Sequence, residues 1–462
     1  MARPNVVVIV ADDMGYGDFG VFSDGSPRTP ALDGLVGQGV VLTQHYSAAP
    51  VCAPARAALL TGRYPHRTGA IDTLEGRGLD RLALREATMA DLFRAAGYVT
   101  GLVGKWHLGA LDPRYHPTAR GFDEFVGFRG GWSDYYDWRL DWGGNARRGD
   151  GRYLTDVFAE EAVAFIRRHR REPFLLHVHF NAPHFPFQAP EEAVRPFQEG
   201  GRLTGALSVL YAMIARMDVG VGRVLEELDR QGLRDNTIVL FTSDNGPQFS
   251  GEGDASIRRY NAGWRGAKGQ VFEGGIRVPA IVRWPDGLPG GGARPDGMVH
   301  FADWLPTLCA LTGVPARPAL ALDGRNAVGV LRGERGAVDP VRFWQWNRYT
   351  PVPTCNAAVR DGRWKLVRPV IQEAMRLEPA DAEMDRRLKY EPEAFADIRR
   401  APEPERDIPS PPSPLLFDLE ADPQEQHDLA AVQPERAARL LRRLEDWFAE
   451  VEAERRSAST CL

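Results

Sequence analysis

The sequence predicts an α/β protein: a large mixed, mainly parallel sheet sandwiched by helices, followed by a smaller C-terminal α+β subdomain on an antiparallel sheet. Three features predict it. Short β-branched apolar runs recur, each stopping abruptly at polar residues, and helical patterns lie between them. Beyond residue 335 the pattern changes to short strands joined by tight turns. The division is therefore expected between residues 1–335 and 336–462.

Residues 6–10 form an unbroken apolar run that reads as the first strand and ends in Asp12-Asp13. Residues 99–103 lead into Gly104-Lys105-Trp106-His107, residues 174–180 into Asn181-Ala182-Pro183-His184, and residues 237–242 into Ser243-Asp244-Asn245-Gly246. Helical patterns lie at 89–96, 156–168 and 207–231. Ligands bind outside the carboxyl ends of parallel strands, so these polar clusters are expected to share one crevice.

In the C-terminal part, 341–346, 357–360 and 364–367 read as strands, with Asp361-Gly362 suited to a hairpin turn. Residues 373–414 are polar, charged and Pro-rich, and read as a long excursion or partly mobile loop. Residues 415–418 look like a last strand. A closing helix at 434–451 sets Leu440, Leu441, Leu444, Trp447 and Phe448 on one face.

At 462 residues the chain can bury a large core, and its 43% hydrophobic and 26% charged residues are those of an ordinary globular protein. A net charge of −5 gives no footprint for nucleic acid. The run at 6–11 is too short for a signal-peptide core or a membrane span, so no membrane partner is expected. Cys52, Cys309, Cys355 and Cys461 are scattered without a CxxC, which suits a reduced, cytoplasmic compartment, although a trimmed secreted or periplasmic form would read the same. Only Lys105, Lys268, Lys365 and Lys389 are lysines among 57 basic residues. Where arginine serves for generic charge, a retained lysine marks a place that needs a compact ammonium.

Cys52 stands at a helix start: Pro54 is pre-set for the first turn and residues 55–60 are good helix formers. Backbone N–H groups there favour negative charge, and Arg56 follows one turn later on the same face. A structural buried thiol would fit the same pattern. Asp12, Asp13, Asp244 and Asn245 offer only oxygen ligands, which suit a hard divalent cation rather than zinc. Lys105 and His107 alternate along an extended segment and can face one side. The aromatic stretch 131–142 is either a stacking rim for a sugar or aryl ring or a hydrophobic plug. Trp344, Trp346, Asn347 and Arg348 are candidates to overhang the crevice.

The run Cys52-Ala53-Pro54-Ala55-Arg56, followed by an apolar pair and Thr61-Gly62, resembles the signature of the sulfatase family, the formylglycine-dependent, arylsulfatase-like enzymes of the alkaline phosphatase superfamily. Residues 97–107 resemble the second family signature over its whole length. Asn181-Ala182-Pro183-His184 looks like the segment whose histidine contacts the sulfate. Arg265-Gly266-Ala267-Lys268 with residues 273–279 resembles the segment whose lysine reaches the sulfate and the leaving-group oxygen. The resemblance runs from Asn5 to about Leu429 and thins over 373–414.

It implies hydrolysis of aryl or carbohydrate sulfate monoesters to alcohol and sulfate. Cys52, Arg56, Lys105, His107, His184 and Lys268 would be catalytic. Asp12, Asp13, residue 52, Asp244 and Asn245 would hold one divalent cation, Ca²⁺ before Mg²⁺ or Mn²⁺. Cys52 would be oxidised to formylglycine by a maturation enzyme, and one hydroxyl of its hydrate would attack sulfur. Arg56, Lys105 and Lys268 would absorb charge, Lys268 or His184 would assist the departing oxygen, and His107 would take a proton to release sulfate and restore the aldehyde. Relatives with the same run cleave phosphodiesters or phosphonate monoesters, which is the alternative activity. A non-catalytic binding protein on the same scaffold is the alternative from another class.

Overall fold

The first apolar run forms strand Asn5–Ala11 at the heart of a nine-stranded sheet in a computed structural model that describes residues 3–334 and 341–459. Residues 1–2, the division expected at 335, and Cys461 lie outside the described residues. Across the sheet the order is Val40–Val41, Ala280–Arg283, Thr237–Ser243, Asn5–Ala11, Phe174–His179, Val99–Lys105, Glu124–Phe128, Arg139–Trp142 and Asn145–Arg148. The five strands from Thr237–Ser243 to Glu124–Phe128 are parallel, and antiparallel strands flank them on both sides. The sheet is thus mixed and mainly parallel, as expected.

Strand Asn5–Ala11 shows why its run is apolar throughout. Val7, Ile9 and Ala11 belong to a core shared with helices Pro30–Gln38, Leu154–His169 and Gly205–Arg230. Val6, Val8 and Val10 belong to a second core, shared with helices Cys52–Thr61, Met89–Ala95 and Trp304–Thr312. Alternate side chains point to opposite faces, so a strand covered on both sides needs apolar residues at every position. Helix Gly205–Arg230 is long and apolar enough to cross a membrane, but its Leu210, Met213, Ile214, Met217 and Val221 are buried in the first core.

The C-terminal strands Arg342–Gln345, Ala357–Asp361, Trp364–Arg368 and Leu415–Asp418 form the expected antiparallel sheet in that order. The hairpin loop is Gly362-Arg363, one residue beyond the expected turn, with Gly362 at φ +58°. Leu440, Leu444, Trp447 and Phe448 of helix Pro434–Ser459 pack on one face of this sheet with Ala357, Val359, Leu366 and Leu416. The other face, with Trp344, Ala358, Val367 and Phe417, packs against Tyr46, Val271, Phe272 and Ile276 of the large domain.

One expectation needs correction, and one pair of alternatives is decided. Residues 373–414 are not wholly irregular: Pro379–Tyr390 is a helix of 12 residues with proline in its first turn. Its apolar signal is weak because much of its contact with the body is polar: Asp381 and Lys389 form ion pairs, and Asp385 accepts from the Gly76 N–H. The aromatic stretch is mainly a plug, with Tyr135 and Trp138 buried in the first core, and it contains the hairpin Arg139–Trp142 and Asn145–Arg148.

Candidate active site

Parallel pairing sets the strand ends side by side. Ala11 is in register with Ser243, and both Val10 and Gly104 with His179, so the polar residues that follow emerge together. Gly104 has φ +112°, and a Cβ there would meet the His179 carbonyl oxygen at 1.9 Å. Only glycine allows the strand bearing Lys105 this approach. Asp13 (φ +66°) and His107 (φ +57°) sit in the left-handed region, sparsely used by non-glycine residues and often by functional ones. Cys52 opens helix Cys52–Thr61, with Val51 extended before it.

The assembled groups form a buried charge cluster. Lys105 Nζ lies 2.6 Å from Asp12 Oδ2, and Lys268 Nζ lies 2.7 Å from Asp13 Oδ2. Arg56 donates from Nε (2.9 Å) and Nη2 (2.7 Å) to Asp244 Oδ2, and Asp13 N–H donates to Asp244 Oδ1 at 3.2 Å. Asn245 Nδ2 donates to Asp13 Oδ1 at 2.7 Å. Cys52 Sγ lies 3.5 Å from Asp12 Oδ1, and His184 Nε2 lies 3.8 Å from Asp13 Oδ2. Asp12, Asp13, Cys52 and His184 each offer a ligand atom within 4.8 Å of the others.

The sequence-predicted residues are therefore brought together, but not all alike. Cys52, His107, His184 and Lys268 line a cavity of about 1310 Å³. Arg56 and Lys105 are buried beneath it and spend their donors on the carboxylates of Asp244 and Asp12. His45 and His66, assigned no role from the sequence, are structural: Trp304 donates to His45, and His66 meets Gln345.

Electrostatics assigns protonation states. Burial, then Asp12, pushes the Cys52 thiol up to about 12, so the unmodified thiol is a poor nucleophile at neutral pH. Burial and the neighbouring Lys105 hold His107 well below its ordinary value, and burial and Lys268 do the same for His184. Both imidazoles are therefore neutral at neutral pH. Burial and then Asp244 push the Asp12 carboxyl up to about 7, against the opposing pull of Lys105 and Arg56.

A divalent cation fits these donors. Asn245 Oδ1 is buried with no hydrogen-bond partner, beside Asp13. Such an orphaned acceptor among carboxylates is what a hard, oxygen-seeking cation satisfies. Asp12, Asp13 and Asp244 are balanced by Arg56, Lys105 and Lys268, so a bound dication would leave positive charge for an anionic substrate.

Of the upper wall, the sequence pointed to Trp346 and Arg348, which do line the cavity, whereas Trp344 is buried against the large domain and most of the rest went unmarked. Thr73, Glu75, Trp132, Trp346, Arg348 and Lys389 also line the cavity. Lysine scarcity was the signal that pointed to Lys389, and the aromatic stretch contained Trp132 without singling it out.

A family model described as Sulfatase matches residues 4–314. Steryl-sulfatase of Mus musculus is 33% identical over 451 residues, covering 78% of this chain and 69% of its own length. N-acetylgalactosamine-6-sulfatase of Homo sapiens is 33% identical over 372 residues, covering 74% of this chain and 68% of its own. The solved structure of Ps i-CgsB in complex with k-i-k-neocarrahexaose superposes with a TM-score of 0.79 at 29% identity, covering 96% of this chain and 92% of that one.

Proposed function

We propose, since this chain belongs to the sulfatase family and is a sulfuric ester hydrolase, that it cleaves aryl or carbohydrate sulfate monoesters at the Cys52 site, with residue 52 converted to formylglycine by a maturation enzyme. The observation that carries this is the meeting of Asp12, Asp13, Cys52 and His184 within 4.8 Å at one end of the cavity. Asp12, Asp13, Asp244 and Asn245, with residue 52, would hold one divalent cation, Ca²⁺ before Mg²⁺ or Mn²⁺. Such a cation supplies Lewis-acid stabilisation of charge and acidifies an oxygen bound to it. An aldehyde at residue 52 supplies, as its hydrate, a hydroxyl nucleophile where the buried thiol is a poor one.

The chain's own residues then divide the work. Lys268, at the cavity wall beside Asp13, binds sulfate oxygens and stabilises the departing oxygen. His184 is held by its Nδ1 contact with the Phe185 carbonyl (2.8 Å), which fixes the proton on Nδ1 and turns the other nitrogen toward Asp13 and the cavity. His107 is neutral and takes the proton that must leave residue 52 as sulfate is released. Arg56 and Lys105 fix the carboxylates of Asp244 and Asp12 in place and offset their charge.

The test compares kcat/KM for an aryl sulfate, an aryl phosphodiester and a phosphonate monoester on one preparation with added Ca²⁺ or Mn²⁺, after the mass of the residue-52 peptide has been recorded. Preference for the sulfate with an aldehyde at residue 52 is the expected result. Preference for either phosphoryl substrate would overturn the assignment.

A further inference from the structure

Lys389 and Glu75 have no part in the chemistry above, yet both line the cavity beside His107. His107 Nε2 lies 3.2 Å from the Thr73 carbonyl oxygen and 3.9 Å from Glu75 Oε1. A carbonyl only accepts, so Nε2 carries the hydrogen and Nδ1 keeps the lone pair. Nδ1 is buried and has no partner, which leaves it free to take a proton.

Glu75 is nearly fully buried and held from two further sides. Its Oε1 accepts from Gly131 N–H at 2.6 Å, and Lys389 Nζ forms an ion pair with the same oxygen. Gly131 packs so tightly on the imidazole that a Cβ would lie 2.6 Å from His107 Cε1. The turn carrying Thr73 and Glu75 is also tied to the C-terminal part: Arg348 Nη1 donates to Thr73 Oγ1 at 2.8 Å, and Gly76 N–H donates to Asp385 at 2.8 Å.

We infer that Glu75 is the positioning residue of His107, steadying the ring that the Thr73 carbonyl keeps as the Nε2–H tautomer and stabilising the imidazolium formed when Nδ1 takes a proton, and that Lys389 of helix Pro379–Tyr390 holds Glu75 in place. An acidic partner behind a base does both jobs in acid–base sites generally. Lys389 also lies 5.9 Å from the centre of the Trp132 ring, and Tyr390 meets Trp132 edge-on at 5.8 Å, so the helix that forms the cavity lip also steadies the base. This role rests on His107 acting as the base in the proposed hydrolysis.

The experiment measures kcat and KM for an aryl sulfate with wild type, Glu75→Gln, Lys389→Met and Lys389→Arg, alongside Tm and the fraction of residue 52 converted. Glu75→Gln is expected to lower kcat about tenfold to a hundredfold, the usual effect of removing an orienting partner, with KM within about twofold. Lys389→Met is expected to follow in the same direction, and Lys389→Arg to restore most of kcat. If Glu75→Gln keeps kcat within about twofold at equal conversion, the positioning role is overturned alone. It is also overturned if kcat falls only in step with Tm and Lys389→Arg rescues nothing. If converted wild type releases no sulfate, the functional reading falls and takes this role with it.

Discussion

The floor of the cavity comes from strand ends whose charged side chains are buried and answer one another across the length of the large domain. Asp13 and Asp244 are bonded to each other although 231 residues separate them. The lip comes from the turn at residues 72–77, the loop at Gly131-Trp132 and helix Pro379–Tyr390, joined by ion pairs such as Arg77–Asp381 and Lys389–Glu75. The difference separates two jobs. Buried, mutually fixed charges suit chemistry that must be the same for every substrate. A lip assembled from loops and an ionic helix suits contact with the part of the substrate that varies, while its buried Lys389–Glu75 pair reaches down to His107.

Breaking the floor is expected to abolish turnover on every substrate. Cys52→Ser lacks the second hydroxyl of a hydrate, so kcat is expected to fall by more than about 10³-fold while sulfated protein accumulates, as intact mass would reveal. Full turnover by that variant would sink the formylglycine assignment. Next in size is removal of the cation. Dialysis against a chelator is expected to remove activity on small and large sulfates alike, with recovery on adding Ca²⁺ or Mn²⁺. At a free concentration one hundred times Kd, the cation should also stabilise the fold by about 2.7 kcal/mol, which denaturant titration with and without it would measure.

The floor was legible in the sequence because these residues stand at the end of a buried strand or open a helix: Asp12 and Asp13 after one strand, Lys105 ending another, Asp244 and Asn245 after a third, and Cys52 at a helix start. Local pattern fixes where such residues emerge, and the parallel sheet brings them together. The lip was largely illegible. Glu75 lies in a single 3₁₀ turn with no periodic signal. Helix Pro379–Tyr390 buries only Asp381 and Leu388 among its residues, so its sequence lacks the apolar stripe that marks a docked helix. Ion pairs between segments hundreds of residues apart leave no mark on hydrophobic periodicity. The aromatic stretch divided in a way its composition could not foretell, with Trp138 in the core and Trp132 at the cavity.

That division gives the prediction of smallest effect on activity, and it sharpens the contrast between floor and lip. Trp132→Ala is expected to raise KM for a saccharide sulfate by up to about tenfold, the worth of one aromatic contact, while Tm and the KM of a small aryl sulfate stay nearly unchanged. Trp138→Ala, by contrast, is expected to cost about 3–5 kcal/mol of stability and to weaken all substrates together. Equal losses from Trp132→Ala on both substrates would place that residue with the core.

The loop that carries Lys268 has a further consequence, in the order in which the molecule can form. Glu273, five residues on, accepts from Tyr46 (2.6 Å) and Lys365 (2.8 Å), and its backbone N–H donates to Glu425 (2.6 Å). Tyr46 precedes the nucleophile segment, whereas Lys365 and Glu425 come from the small sheet and the turn beyond its last strand. Contacts of such sequence separation close slowly, because chain entropy must be lost before they form. The ties from Lys365 and Glu425 are thus complete only after the chain has been made past residue 425, and a chain cut short before both would hold the Lys268 loop by contacts such as those with Pro50, Pro247 and Tyr46.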